Sequence, residues 1–200
     1  MSNHRIGSFT VFAASALALV LTGCADSNST SGVAATSPMA TKLADSAPAP
    51  GRTTIPVDSS AKSSPASDSA RLTVTDVSVG QHEGFDRVVY ELGGTGTPGW
   101  RVEYVDDAAE GGSGAPISMS GNGILQVLID GSAYPFDSGV EAYSGPDPVP
   151  GVPGGTVTEV RGALVFEGVT QSFIGVTEPG LPFAVSTLSE PTRVVVDVAR

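Results

Sequence analysis

From residue 71 onward the chain keeps returning to one pattern. Apolar and polar residues alternate over short stretches, and clusters of Gly, Pro, Asn and Asp interrupt them. A period of two places alternate side chains on opposite faces of an extended strand, so each stretch has one face to bury. Leu72-Thr73-Val74-Thr75 begins the pattern, and its phase shifts at Asp76, which predicts a β-bulge. Residues 86–92, 100–105, 124–130, 157–166, 172–177, 183–188 and 193–198 read as further strands separated by turn signals. No stretch of helical length holds a 3.6-residue period free of Gly and Pro. The expected fold class is therefore all-β: a single, mostly antiparallel β-sandwich. One segment, 135–155, fits no strand. It carries Pro146, Pro148, Pro150 and Pro153, and reads as a long loop that is either functional or an inert excursion.

Two of the strands nearly repeat. Asp86-Arg87-Val88-Val89-Tyr90-Glu91-Leu92 and Thr192-Arg193-Val194-Val195-Val196-Asp197-Val198 share Arg-Val-Val from the second position and an acid next to last. Antiparallel pairing with Arg87 opposite Asp197 and Glu91 opposite Arg193 would make two cross-strand ion pairs around Val89 and Val195. Parallel pairing in register would set Arg beside Arg. The opposite faces, Val88-Tyr90-Leu92 and Val194-Val196-Val198, are apolar enough to be core.

These segments carry a resemblance. The run G-F-D-R-V-V-Y-E-L at 84–92, Gly175-Val176, and P-T-R-V-V-V-D-V at 191–198 resemble the AMIN-like domain of bacterial envelope lipoproteins. The resemblance spans 72–200. It implies a β-sandwich associated with peptidoglycan or envelope localisation, and nothing in its motif is catalytic. AMIN domains proper occur beside cell-wall amidases. With no amidase domain in this chain, targeting an enzyme in cis is not expected.

The other end of the chain has a different composition. Arg5 precedes an apolar run, IGSFTVFAASALALVL, at 6–21, followed by Leu21-Thr22-Gly23-Cys24. Charged leader, short apolar run and small residues before a cysteine make a signal peptide over 1–23. The last four residues resemble the bacterial lipobox. That resemblance implies cleavage after Gly23 and a lipid on Cys24, the one cysteine of the chain, which has no disulfide partner. Residues 24–70 are then the lipidated cysteine and a disordered tether. From 25 to 70 the chain is mostly Ser, Ala, Thr, Pro and Gly without an aromatic residue, too little apolar surface to offset backbone ordering. Such a tether spans about 35–40 Å. The domain, 71–200, would sit outside the cytoplasm, held to the cell membrane by lipid and kept near the surface.

Charge narrows the partners. Residues 71–200 hold six Arg, no Lys and 17 Asp or Glu, a balance equal to the −11 of the whole chain. A lysine-free acidic surface argues against nucleic acid and against docking on anionic lipid headgroups. The acid excess reads first as a solubility device.

Catalytic chemistry finds little support. His82 is the one histidine after the signal region, and no G-x-S-x-G elbow accompanies it. One histidine and no free cysteine do not build a zinc site. Asp106, Asp107 and Glu110 offer oxygen ligands without the spacing of a calcium loop, and among 17 acids some pair will fall at glycosidase distance by chance. The glycine-rich stretches 93–99 and 111–114 lack the lysine and helix of a phosphate loop. No enzyme activity and no cofactor are expected.

Aromatic residues are the remaining candidates. Trp100 and Tyr104 share one strand face, and Tyr134, Phe136 and Tyr143 border or lie in the long loop. Aromatic rings stack on sugars, while Arg87 and Arg193 could hydrogen-bond polar groups of a wall polymer. The competing reading for Trp100 is core packing, which is the favoured one. The function expected is a non-catalytic envelope binding module for peptidoglycan or another wall polymer. The alternative is a protein–protein adaptor docking an envelope complex, and a carboxylate-dependent hydrolase comes last.

Overall fold

The computed structural model describes residues 54–200. The expected signal peptide, Cys24 and most of the tether lie outside these residues. The strands are β1 (Lys62–Ser64), β2 (Arg71–His82), β3 (Phe85–Thr95), β4 (Gly99–Val105) and β5 (Gly123–Asp130). A one-turn helix α1 (Pro135–Ser138) follows, then β6 (Val149–Pro150), β7 (Val157–Phe166), β8 (Val169–Val176), β9 (Phe183–Leu188) and β10 (Thr192–Ala199). They form two antiparallel sheets packed as a sandwich. One has the order β1-β4-β5-β8-β7-β6 and the other β2-β3-β10-β9.

The inward faces follow the alternation. Val88, Tyr90 and Leu92 of β3 and Val194, Val196 and Val198 of β10 are buried, and they join Val102, Leu125, Val127, Ile129 and Ile174 of the other sheet in one core. Each such side chain contributes about 1.5–3 kcal/mol on leaving water. In β2 the pairing with β3 shifts between Val74 and Asp76, so Leu72, Val74 and Val77 all reach the core. Tyr90 crosses the sandwich, its hydroxyl 3.0 Å from Ser172 Oγ.

The β3–β10 register is the one the repeat predicts: Arg87 faces Asp197, Val89 faces Val195 and Glu91 faces Arg193. Arg87 Nε and Nη2 donate to the two oxygens of Asp197 at 2.7 and 2.8 Å. The second expected ion pair does not form. Arg193 Nε donates instead to the Pro191 carbonyl at 3.2 Å. At this strand end water competes with an ion pair, and a carbonyl two residues away is nearer.

Two corrections concern boundaries. Residues 54–70, assigned by composition to the tether, belong to the sandwich. β1 pairs with β4, Phe183 N–H donates to the Asp58 carbonyl at 2.9 Å, and Lys62 Nζ lies 4.3 Å from the Phe183 ring centroid. Backbone pairing needs no apolar side chains, so composition did not register it. The 135–155 loop also has structure. Its first part, with the residues just before it, closes the open edge of β2: Ala133 N–H donates to the Leu72 carbonyl and Tyr143 N–H to the Val74 carbonyl. Its last part supplies β6, an edge of the larger sheet.

Asp86 locks the far end of the sandwich. It is fully buried and accepts from the backbone N–H of Thr156 and of Val157 at the start of β7. Arg200 Nε lies 3.4 Å from its other oxygen. Gly155 is required beside it, because a Cβ there would overlap Asp86 Oδ2.

Two outcomes are expected. Asp197→Asn, which leaves Arg87 without its charged partner, costs about 1–3 kcal/mol. The exchange Arg87→Asp with Asp197→Arg recovers most of that loss, measured by urea unfolding of the two singles and the double. Burial raises the Tyr90 phenol far above its ordinary value and pushes Tyr104 up to about 12. A raised folded-state pKa stabilises below the unfolded value and is lost above it, so stability falls as pH rises beyond about 10. At about pH 11 the native protein should show less tyrosinate absorbance than the urea-unfolded chain.

Candidate binding surface

The residues singled out from sequence separate into two groups. Trp100 is only 9% exposed, and its indole Nε1 donates to Thr187 Oγ1 across the sandwich at 3.0 Å. It therefore packs the core, and its sugar-stacking role is withdrawn. Tyr104 is half-buried, set edge-on to Phe183 at 5.9 Å, with its hydroxyl donating to the Leu181 carbonyl at 2.9 Å. Arg87 is engaged with Asp197, and Tyr143 donates to the Pro146 carbonyl at 2.9 Å. Tyr104, Arg87 and Tyr143 are thus occupied by the fold, while Arg193 bonds only through Nε, at an exposed strand end.

Tyr134 stands apart. It lies at the start of α1 and stacks on Phe136 with ring centroids 5.4 Å apart and planes 8° from parallel. Tyr134 is 40% and Phe136 82% exposed. Pro135 between them restricts the backbone, and Thr73 Oγ1, 2.6 Å from Ser138 Oγ, ties the turn to β2. The result is a firm aromatic platform facing solvent. Phe136, named with Tyr134 among the aromatic residues of the long loop, is its more exposed half.

The larger site was not legible at all. A cavity of about 560 Å³ lies on the outer face of the six-stranded sheet, between β7–β8 and the glycine-rich loop that follows β4. Its floor is built by register: Arg161 of β7 sits opposite Phe173 of β8, and Leu164 opposite Gln171. Arg161 and Leu164 are three positions apart yet share the outer face, because a bulge intervenes between Gly162 and Leu164. Gly162 and Ala163 both take positive φ there, 88° and 80°, a conformation costly for alanine. The extra residue turns Leu164 and Phe166 outward, where they are 70% and 44% exposed.

The loop is pinned over this floor. Ser120 N–H donates to Glu159 Oε1 at 2.8 Å, Thr158 Oγ1 donates to the Ser120 carbonyl at 2.7 Å, and Gly111 N–H donates to Gln171 Oε1 at 2.7 Å. Phe173 is buried beneath it, outside the main core. Glu159, on an outward-facing position yet 6% exposed, also accepts from Arg161 Nε at 3.1 Å. Ile117, Pro116 and Phe166 supply apolar lining, and Glu110 and Asp147 bring carboxylates to the cavity wall.

His82 is exposed and stacks on Phe85 at 4.9 Å. Among the described residues no group of three or more His, Cys, Asp or Glu side chains is placed to hold a metal ion.

Comparison with known proteins agrees with the fold. The profile of the AMIN-like domain matches residues 72–200. Neither a curated protein nor a solved structure matches the chain.

Core and surface aromatics should separate cleanly in stability. Trp100→Ala is expected to cost about 3–5 kcal/mol. Phe136→Ala should stay within about 0.5 kcal/mol. Chemical unfolding of the two variants reads the difference.

Proposed function

The chain belongs to the AMIN-like domain family, and from that premise we propose that it is a non-catalytic binding module of the cell envelope. It is displayed outside the cytoplasm, anchored through lipid on Cys24, and takes peptidoglycan or another wall polymer as its ligand. The observation that carries this reading is the family match, which runs over residues 72–200, from β2 to β10, rather than over one motif. The Tyr134–Phe136 platform supports it, because two parallel exposed rings offer the flat apolar surface on which sugar faces stack.

A second reading, an adaptor for another envelope protein, is favoured by one feature. Strand β9 is an edge of the four-stranded sheet, and residues 183–189 carry neither charge nor proline. Natural edges normally carry such guards; beyond Phe183, whose N–H is taken by the Asp58 carbonyl, this edge is open to strand addition.

The test is retention of the full-length protein, in detergent, on insoluble purified sacculi, with and without prior removal of secondary wall polymers. Retention on both is expected, and Phe136→Ala should lower the retained fraction severalfold without loss of stability. Retention lost on stripped wall would move the ligand to the secondary polymer. Absence of retention on either would sink the wall reading and favour the adaptor.

A further inference from the structure

The cavity under the 106–122 loop has a donor set that selects its ligand, and we propose that it binds the acetamido group of an N-acetylated amino sugar. The inference rests on the wall-binding reading and names the ligand class for a site distinct from the aromatic platform.

Arg161 is the central group. Its Nε is held by Glu159, whose side chain is 8% exposed, and Glu159 is itself fixed by Ser120 N–H. The guanidinium is thereby oriented, and its two terminal nitrogens have no hydrogen-bond partner among the described residues. Gln171 is oriented in the same way: Gly111 N–H occupies its carbonyl oxygen and leaves its NH2 group to donate. Both side chains line the cavity, so the site presents hydrogen-bond donors fixed in advance of binding, and they call for an acceptor oxygen.

That acceptor is uncharged. Glu159 already balances Arg161, and the wall adds Glu110 and Asp147 without another cation. A carboxylate or phosphate would enter against two negative charges. Beside the donors stand Leu164, Phe166 and Ile117, which suit a small apolar group. A carbonyl that accepts two hydrogen bonds, attached to a methyl group and to an otherwise polar ring, satisfies each of these demands. The volume of about 560 Å³ is of the size that encloses a small ligand, about 300–1,000 Å³.

The experiment is an NMR titration of the full-length protein in detergent with chitotriose and with cellotriose, two neutral trisaccharides that differ in the acetamido group. Chitotriose should shift the amide resonances of Gly111 and Gly162, and cellotriose should leave them unmoved. Arg161→Ala should weaken chitotriose binding by about tenfold or more. Should that variant fold poorly, Leu164→Glu, at an exposed position of the cavity wall, should abolish the shifts while preserving the rest of the spectrum. Equal response to both sugars, or shifts confined to Tyr134 and Phe136, would overturn the cavity assignment. Retention on sacculi without any chitotriose response would overturn it too and leave the wall reading standing. Chitotriose binding without sacculus retention would do the reverse.

Discussion

Pairing of β3 with β10 joins positions more than a hundred residues apart, Arg87 and Asp197 among them, and the sandwich hangs on that contact. The two strands are the centre of the four-stranded sheet. Their inward valines, with Tyr90 and Leu92, form that layer's share of the core. A slip of one residue would turn every one of these side chains to solvent. The bidentate Arg87–Asp197 pair penalises such a slip, since each charge would then meet an apolar partner. Loop closure over this distance is costly, so a register set by both hydrophobic face and charge is worth more here than in a local hairpin.

The outer face of the other sheet shows what happens when a strand departs from its period. Simple alternation along β7 would put Leu164 and Phe166 on the face of Val160, inside the core. The bulge at Gly162–Ala163 moves them to the face of Arg161. The strand thus spends two apolar residues on a surface that the following chemistry can use. The glycine-rich loop completes it, held by a buried glutamate on an outward-facing position. Phe173 is buried by that cover and contributes nothing to the central core. A buried acid that holds both an arginine and a loop is poor economy for stability alone, which is why the arrangement reads as a site.

The architecture was largely legible in the sequence, and the candidate site was not. Leu72 to Val77, Val88 to Leu92 and Val194 to Val198 announced their faces by periodicity, and the bulge at Thr75 announced itself by a phase shift. Spacing favoured the core for Trp100 without deciding it, because an aromatic residue suits both a core and a sugar platform. Its burial, and the Thr187 hydroxyl waiting across the sandwich, settled the matter. Tyr134 and Phe136 were visible as loop aromatics, and the structure added their parallel stacking. Arg161, Gln171 and Leu164 were invisible as a group, since they come from two strands and are joined only by register. The strand β1 escaped notice because backbone hydrogen bonds leave no mark on composition.

The sequence by itself determined the strand periods, the polarity of each face, the antiparallel register of the two arginine-bearing strands and the membership that their motif implies. These are local or pairwise properties, written in side-chain order. Only the tertiary structure decided which aromatic residues face solvent, which arginine lines a cavity, and where that cavity opens. Those depend on bulges, on edge cover and on loops folding back over a sheet. Each of these is an outcome of competition for burial and hydrogen bonds among distant parts of the chain, and no single stretch of residues records it.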